Sequence, residues 1–98
     1  MRILLILFIF LFNYTTYNQT AKEYYNSGLK KHQNGDYYGA ISEYTKSIEL
    51  DPNFSYAYFN RGIAKEILKD LNGACSDYKI AARMGHIYAK EIVNDYCD

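Results

Sequence analysis

A 34-residue echo constrains this chain more than any other feature. Residues 21–54 laid over residues 55–88 give nine identities without a gap: Tyr24/Tyr58, Asn26/Asn60, Gly28/Gly62, Lys31/Lys65, Asp36/Asp70, Gly39/Gly73, Ala40/Ala74, Ser42/Ser76 and Tyr44/Tyr78. A fixed period of this size marks stacked supersecondary units, none of which can bury its apolar face alone. Such stacks offer a surface to partners rather than a pocket for chemistry.

Each copy reads as a pair of helices. Thr20 is a candidate N-cap, and Glu23 three residues on completes a capping-box pattern. Tyr24, Tyr25, Gly28, Leu29 and His32 then recur at helical spacing. Asn34-Gly35-Asp36 signals a turn. Tyr37, Ala40, Ile41, Tyr44, Ser47 and Ile48 form the stripe of a second helix, which ends before Pro52. The second copy repeats this with Tyr58, Phe59, Gly62, Ile63 and Leu68, a turn at Lys69-Asp70, and then Leu71, Ala74, Cys75, Tyr78, Ala81 and Ala82. Gly85 reads as a stop. A fifth, shorter helix follows from His86 to Tyr96, with Ala89, Ile92, Val93 and Tyr96 in its stripe. Gly28 is placed to face Ala40 and Tyr44 across a tight hairpin, and Gly62 to face Ala74 and Tyr78. A mid-helix glycine costs about 1 kcal/mol against alanine and is tolerated where backbones approach closely.

The first stretch stands apart. Met1-Arg2 is a short basic start, residues 3–12 are an unbroken apolar run, and Asn13 to Thr20 is polar. This is the layout of a cleavable signal peptide over residues 1–18, with the cut near Asn18-Gln19. The apolar run is far short of the ~20 residues a spanning helix needs. The alternative is an uncleaved anchor through residues 3–12. The expected location is therefore exported, periplasmic or secreted, with membrane contact only through that segment.

Charge excludes some functions. The chain holds 11 basic and 11 acidic residues, and losing residues 1–18 removes only Arg2. Near-neutrality argues against an electrostatic grip on nucleic acid or anionic membranes. No phosphate-cradling loop or nucleophile elbow occurs, so no catalytic residue and no cofactor is expected. His32 and His86 have no metal-ligand spacing to either cysteine, so no metal site is expected. Glu43, Glu49, Glu66 and Asp77 read as carboxylates on solvated helix faces, and His32 as a surface residue near a helix end.

The motifs resemble the tetratricopeptide repeat, which shows an aromatic, a large residue with glycine, an alanine, an aromatic, a small residue and a proline. The first copy supplies Tyr24, Ser27-Gly28, Ala40, Tyr44, Ser47 and Pro52; the second supplies Tyr58, Arg61-Gly62, Ala74, Tyr78 and Ala81, with His86 where proline would fall. Ser27 and Arg61 stand where leucine is usual. The run Ala81 to His86 is similar to the ending of a Sel1-like repeat, and the whole resembles small exported proteins of Bacteroidetes-type bacteria. The expected fold is all-α, a short solenoid. Its domain, residues 19–98, comprises repeats 21–54 and 55–88 and a capping helix over 86–97.

The resemblance implies a concave groove lined by the first helix of each pair. By register that groove presents Lys22, Tyr25, Asn26 and Leu29, then Tyr56, Phe59, Asn60 and Ile63, continued by Glu66 and Ile67. Rings supply contact area and amides pair with a peptide backbone. The alternative is that Tyr25, Phe59 and Ile63 simply pack between helices. The family's grip on a peptide C-terminus wants lysine and asparagine where Tyr25 and Leu29 stand, so that specificity is not expected. The expected function is non-enzymatic binding of a protein or peptide partner. The alternative is a self-associating homo-oligomer or a structural part of a larger envelope assembly.

Cys75 lies ten residues before Gly85 and Cys97 twelve after it. Antiparallel helices rising about 1.5 Å per residue bring the two to similar height. A disulfide suits an exported domain with a small core. Two reduced cysteines are the alternative.

Overall fold

The computed structural model describes residues 19–97, so the expected leader, residues 1–18, lies outside the described residues. Five helices run in order: α1 Ala21–Gln33, α2 Tyr37–Leu50, α3 Ser55–Ile67, α4 Leu71–Arg83 and α5 Ile87–Tyr96. Each packs on the next, and there is no strand among the described residues.

Local chemistry sets the helix limits. The Thr20 hydroxyl accepts the Glu23 N–H at 3.2 Å, while the Glu23 carboxylate accepts the Thr20 N–H at 3.2 Å. This reciprocal cap starts α1. Asp36 accepts the Gly39 N–H at 2.9 Å to start α2, and Asp70 accepts the Gly73 N–H at 3.0 Å to start α4. The turns before these caps reverse through left-handed residues one period apart, Gly35 at φ +81° and Lys69 at φ +70°. The turn into α5 is tighter. Gly85 takes φ +94°, and α5 begins at Ile87, two residues ahead of where the 34-residue echo of α3 would place it.

The core is made of small residues around two rings. Ala40, Ala57, Ala64, Ala81 and Ala89 are completely buried, and Tyr44 and Tyr78 are buried among them. Each tyrosine ring sits against a glycine of the facing helix. A Cβ on Gly28 would stand 2.5 Å from the Tyr44 ring, and one on Gly62 would stand 2.7 Å from the Tyr78 ring and 3.2 Å from the Ala74 carbonyl oxygen. The helices of each hairpin therefore close to a separation that any side chain would prevent. Ser47 is also buried, and its hydroxyl donates to the Ala21 carbonyl at 2.7 Å, tying α2 to the start of α1.

Charge enters the interior at one phase of the period. Lys31 on α1 pairs with Glu43 on α2 at 3.3 Å; one period on, Lys65 on α3 pairs with Asp77 on α4 at 3.0 Å. The second copy adds Arg61, whose Nε and Nη2 donate to the two Asp77 oxygens at 2.8 and 2.7 Å and whose Nη1 donates to the Thr45 hydroxyl of α2 at 3.2 Å. The Arg61 guanidinium also lies 5.5 Å from the centre of the Tyr58 ring. Asp77 is only 1 % exposed and Glu43 9 %, so the expectation that these carboxylates sit on solvated faces is overturned. The cause is the lysine and arginine on the facing helix, which replace the water each carboxylate loses. His32 is likewise half-buried rather than a surface residue, with its ring edge-on to Tyr37 at 5.1 Å.

The sulfurs of Cys75 and Cys97 are bonded, with their Cα atoms 5.7 Å apart. The bond joins the first turns of α4 to the end of α5. Closing a loop of this length stabilises by about 3 kcal/mol in the chain-entropy model. That is a large share for a helix of ten residues at the edge of the stack.

The two ion-pair sites make a matched test. Asp77→Ala leaves Arg61 and Lys65 facing each other half-buried, and should cost about 3 kcal/mol in urea unfolding. Glu43→Ala leaves behind Lys31 and Lys46, whose side chains are 42% and 50% exposed and can turn to water, and should cost at most about 1 kcal/mol. Equal losses at the two positions would contradict the assignment.

Candidate functional site

The first helices of the two hairpins, α1 and α3, carry the residues read from sequence as a groove. Lys22, Asn26 and Tyr56 are exposed there, and Tyr25, Leu29, Phe59, Asn60 and Ile63 are half-buried. At the far end Glu66 and Ile67 are exposed.

The floor of this face is held from within. The Asn60 amide donates to the Tyr25 hydroxyl and to the Tyr56 carbonyl, each at 2.9 Å. The Tyr25 ring packs 4.9 Å from Phe54 and 5.8 Å from Tyr44. Burial, and then the neighbouring Tyr56, push the Tyr25 phenol above its ordinary pKa, so its hydroxyl stays protonated. Phe59 stacks on His86 at 4.2 Å and lies 5.7 Å from Tyr78. Tyr25, Phe59 and Asn60 therefore join helices to one another. Lys22, Asn26, Leu29, Ile63 and Ile67 make no such bond or ring stack across the array among the described residues, and Tyr56 makes only its side-chain contact with His86.

The two hairpins end differently below this face. The Tyr78 hydroxyl donates to the Glu66 carboxylate at 2.8 Å. Burial and that carboxylate raise the Tyr78 phenol well above its ordinary value. At the matching position of the first hairpin His32 stands in place of Glu66, and burial pushes the Tyr44 phenol up to about 12. Both phenols remain neutral across the physiological range, but only the Tyr78 hydroxyl has a hydrogen-bond acceptor, and the buried Tyr44 hydroxyl has no partner among the described residues.

Sequence reasoning did not place His86 in this site. Its ring is 8 % exposed, stacked on Phe59 and edge-on to Tyr56 at 5.0 Å. With Tyr56, Met84, Ile87 and Tyr88 it borders a notch of about 220 Å³ at one end of the face. The missed signal was position: His86 falls where the repeat pattern has proline, at the start of the helix that packs on α4, from where its ring reaches Phe59 and Tyr56 of α3. Arg61 was missed for a related reason, since its partners Thr45 and Asp77 lie on two other helices.

Among the described residues no group of histidine, cysteine and carboxylate side chains is arranged to hold a metal ion. No helix among them is long and apolar enough to cross a membrane.

Comparison with known proteins follows the same lines. The family model described as TPR repeat matches residues 28–66. A tetratricopeptide repeat protein 36 homolog of Nematostella vectensis is 32% identical over 66 residues, which is 67% of this chain and 36% of that protein. An uncharacterized protein of Methanocaldococcus jannaschii is 38% identical over 48 residues, 49% of this chain and 56% of the relative. A serine/threonine-protein phosphatase T of Aspergillus oryzae is 31% identical over 61 residues, 61% of this chain but only 13% of that enzyme. The chain thus spans between about an eighth and just over half of the length of these relatives. Repeats of this kind generally mediate protein–protein interaction and are typically non-enzymatic. Residues 28–66 are thus similar to the TPR repeat, and the paired helices of the fold agree with that similarity.

Proposed function

We propose that this chain is a non-enzymatic interaction module whose α1–α3 face takes an extended segment of a partner protein. The observation that carries this reading is the pairing of accessible Asn26 and Tyr56 with the half-buried apolar Leu29 and Ile63, on two adjacent helices whose mutual position is held by the Asn60–Tyr25 hydrogen bond. A floor fixed in advance lowers the ordering cost of binding. Tyr56 is the natural anchor, because a tyrosine offers large contact area with few rotatable bonds.

A random-peptide library selected against the protein supplies the probe. Selected peptides should move the amide resonances of Asn26, Leu29, Tyr56 and Ile63, and Tyr56→Ala should weaken them about tenfold or more. Peptides that bind the protein equally well after Tyr56→Ala and Asn26→Ala would remove this face from the proposal.

A second reading has its own support. Leu71, Ile87, Tyr88 and Tyr96, at the α4–α5 end, are each at least 61% exposed. That apolar edge suits self-association or docking within a larger assembly. Sedimentation at rising concentration separates the readings, since only the second expects a growing dimer.

The reading extends to location and boundaries. Residues 1–18 would act as a leader that carries residues 19–98 to an oxidising compartment, where repeats 21–54 and 55–88 and the cap over 86–97 fold. The Sel1-like character of Ala81 to His86 belongs to the same reading. The Cys75–Cys97 bond supports it, because structural disulfides persist in such compartments. N-terminal sequencing of protein recovered from its native source should begin near Gln19; a start at Met1 would favour the anchored alternative.

A further inference from the structure

We propose that His86 is a proton-sensitive latch for α5: protonation of its imidazole releases the N-terminal end of that helix from α3, while the Cys75–Cys97 bond keeps the other end attached. The proposal goes beyond the binding reading above and does not depend on what, if anything, the groove holds.

The geometry sets the chemistry. His86 is the N-cap of α5, and its Nδ1 accepts the Ala89 N–H at 3.3 Å. An acceptor nitrogen must carry a lone pair, so the capping form of the ring is neutral. A proton on Nδ1 turns the acceptor into a donor aimed at another donor. It also places a positive charge at a helix N-terminus, where the helix dipole is unfavourable to cations. The other capped helices use Thr20, Asp36 and Asp70, so among the described residues α5 alone is capped by an imidazole.

The surroundings offer the charged ring aromatic faces but no acceptor, and their attraction for a cation does not replace the hydrogen bond lost at the cap. From α3 it meets the Phe59 ring at 4.2 Å and the Tyr56 ring at 5.0 Å, and from α5 the Tyr88 ring at 6.1 Å. The charged residue at the end of α4 is Arg83, three positions upstream; on α5 the nearest in sequence are Lys90 and Glu91. No carboxylate forms an ion pair with the ring among the described residues. Burial accordingly lowers the His86 pKa from its ordinary 6.5. In the released state the ring is solvated and regains that ordinary value, so it binds the proton more readily than the docked state does. The docked state is therefore fully favoured above about pH 6.5 and loses ground as pH falls below it. Release would uncover Phe59, beside the already exposed Tyr56, at the wall of the groove nearest the notch.

Amide hydrogen exchange on the oxidised protein tests this. Between pH 7 and pH 5, after correction for intrinsic rates, protection of Ala89 and Lys90 should fall about fivefold relative to Ala40 and Tyr44 in α2, the equivalent of one lost cap. His86→Asn keeps a side-chain acceptor that does not titrate, and its ratio should not change with pH. A constant ratio in the native protein, or an equal fall in His86→Asn, overturns the proposal. A resonance titration of both histidines in the native protein gives an independent check. The loss of protection must track the His86 ring, and tracking His32 instead also overturns it.

Discussion

A tyrosine ring lying on a bare glycine backbone is the contact on which the rest of this structure depends. Tyr44 takes up the space beside Gly28, and Tyr78 the space beside Gly62. Neither ring leaves room for a side chain. Alanines then complete the apolar part of an interior whose other buried side chains are polar: Glu43, Ser47, Asp77 and His86. A chain with so small a core gains little from bulk hydrophobicity and depends on close approach. The rings recover much of that contact, and their hydroxyls stay protonated inside.

The second hairpin is the more elaborate of the two. Arg61 reaches Thr45 on α2 and Asp77 on α4 from a position on α3, so one side chain ties three consecutive helices together. In the first hairpin that position is Ser27, and the matching lysine–carboxylate pair is more exposed. The edge of the stack is handled differently again. There α5 is short, begins early in the register, and is fastened by a covalent bond at one end and a buried imidazole at the other.

Much of this was legible in the sequence because it rests on local chemistry. Thr20 with Glu23, the Asn34-Gly35-Asp36 turn and the stop at Gly85 act within a few residues, and the structure shows the caps and reversals where those residues predict them. The glycine–tyrosine hairpins were legible because the period repeats them in phase. The burial of Asp77 and Glu43 was not, because a helical carboxylate near a lysine looks the same on an open face as in an ion pair between helices. The repetition of Lys31/Lys65 opposite Glu43/Asp77 held that information. His86 escaped because its role depends on which rings its helix meets, and that follows from the two-residue advance of α5 rather than from its neighbours in sequence. The groove residues divide in the same way: spacing put Tyr25, Phe59 and Asn60 on the correct face, but not how fully their contacts lie within the fold.

The sign of one small substitution tests the central contact most directly. An incidental mid-helix glycine would gain about 1 kcal/mol on replacement by alanine, raising the melting temperature by several degrees. At Gly62 the new methyl would stand 2.7 Å from the buried Tyr78 ring and 3.2 Å from the Ala74 carbonyl oxygen, which is backbone and cannot turn aside as a side chain can. Thermal unfolding of Gly62→Ala should therefore show a melting temperature several degrees below that of the native protein, at a cost of about 1–3 kcal/mol. A melting temperature that rises instead would show that the hairpins do not depend on ring-to-backbone contact.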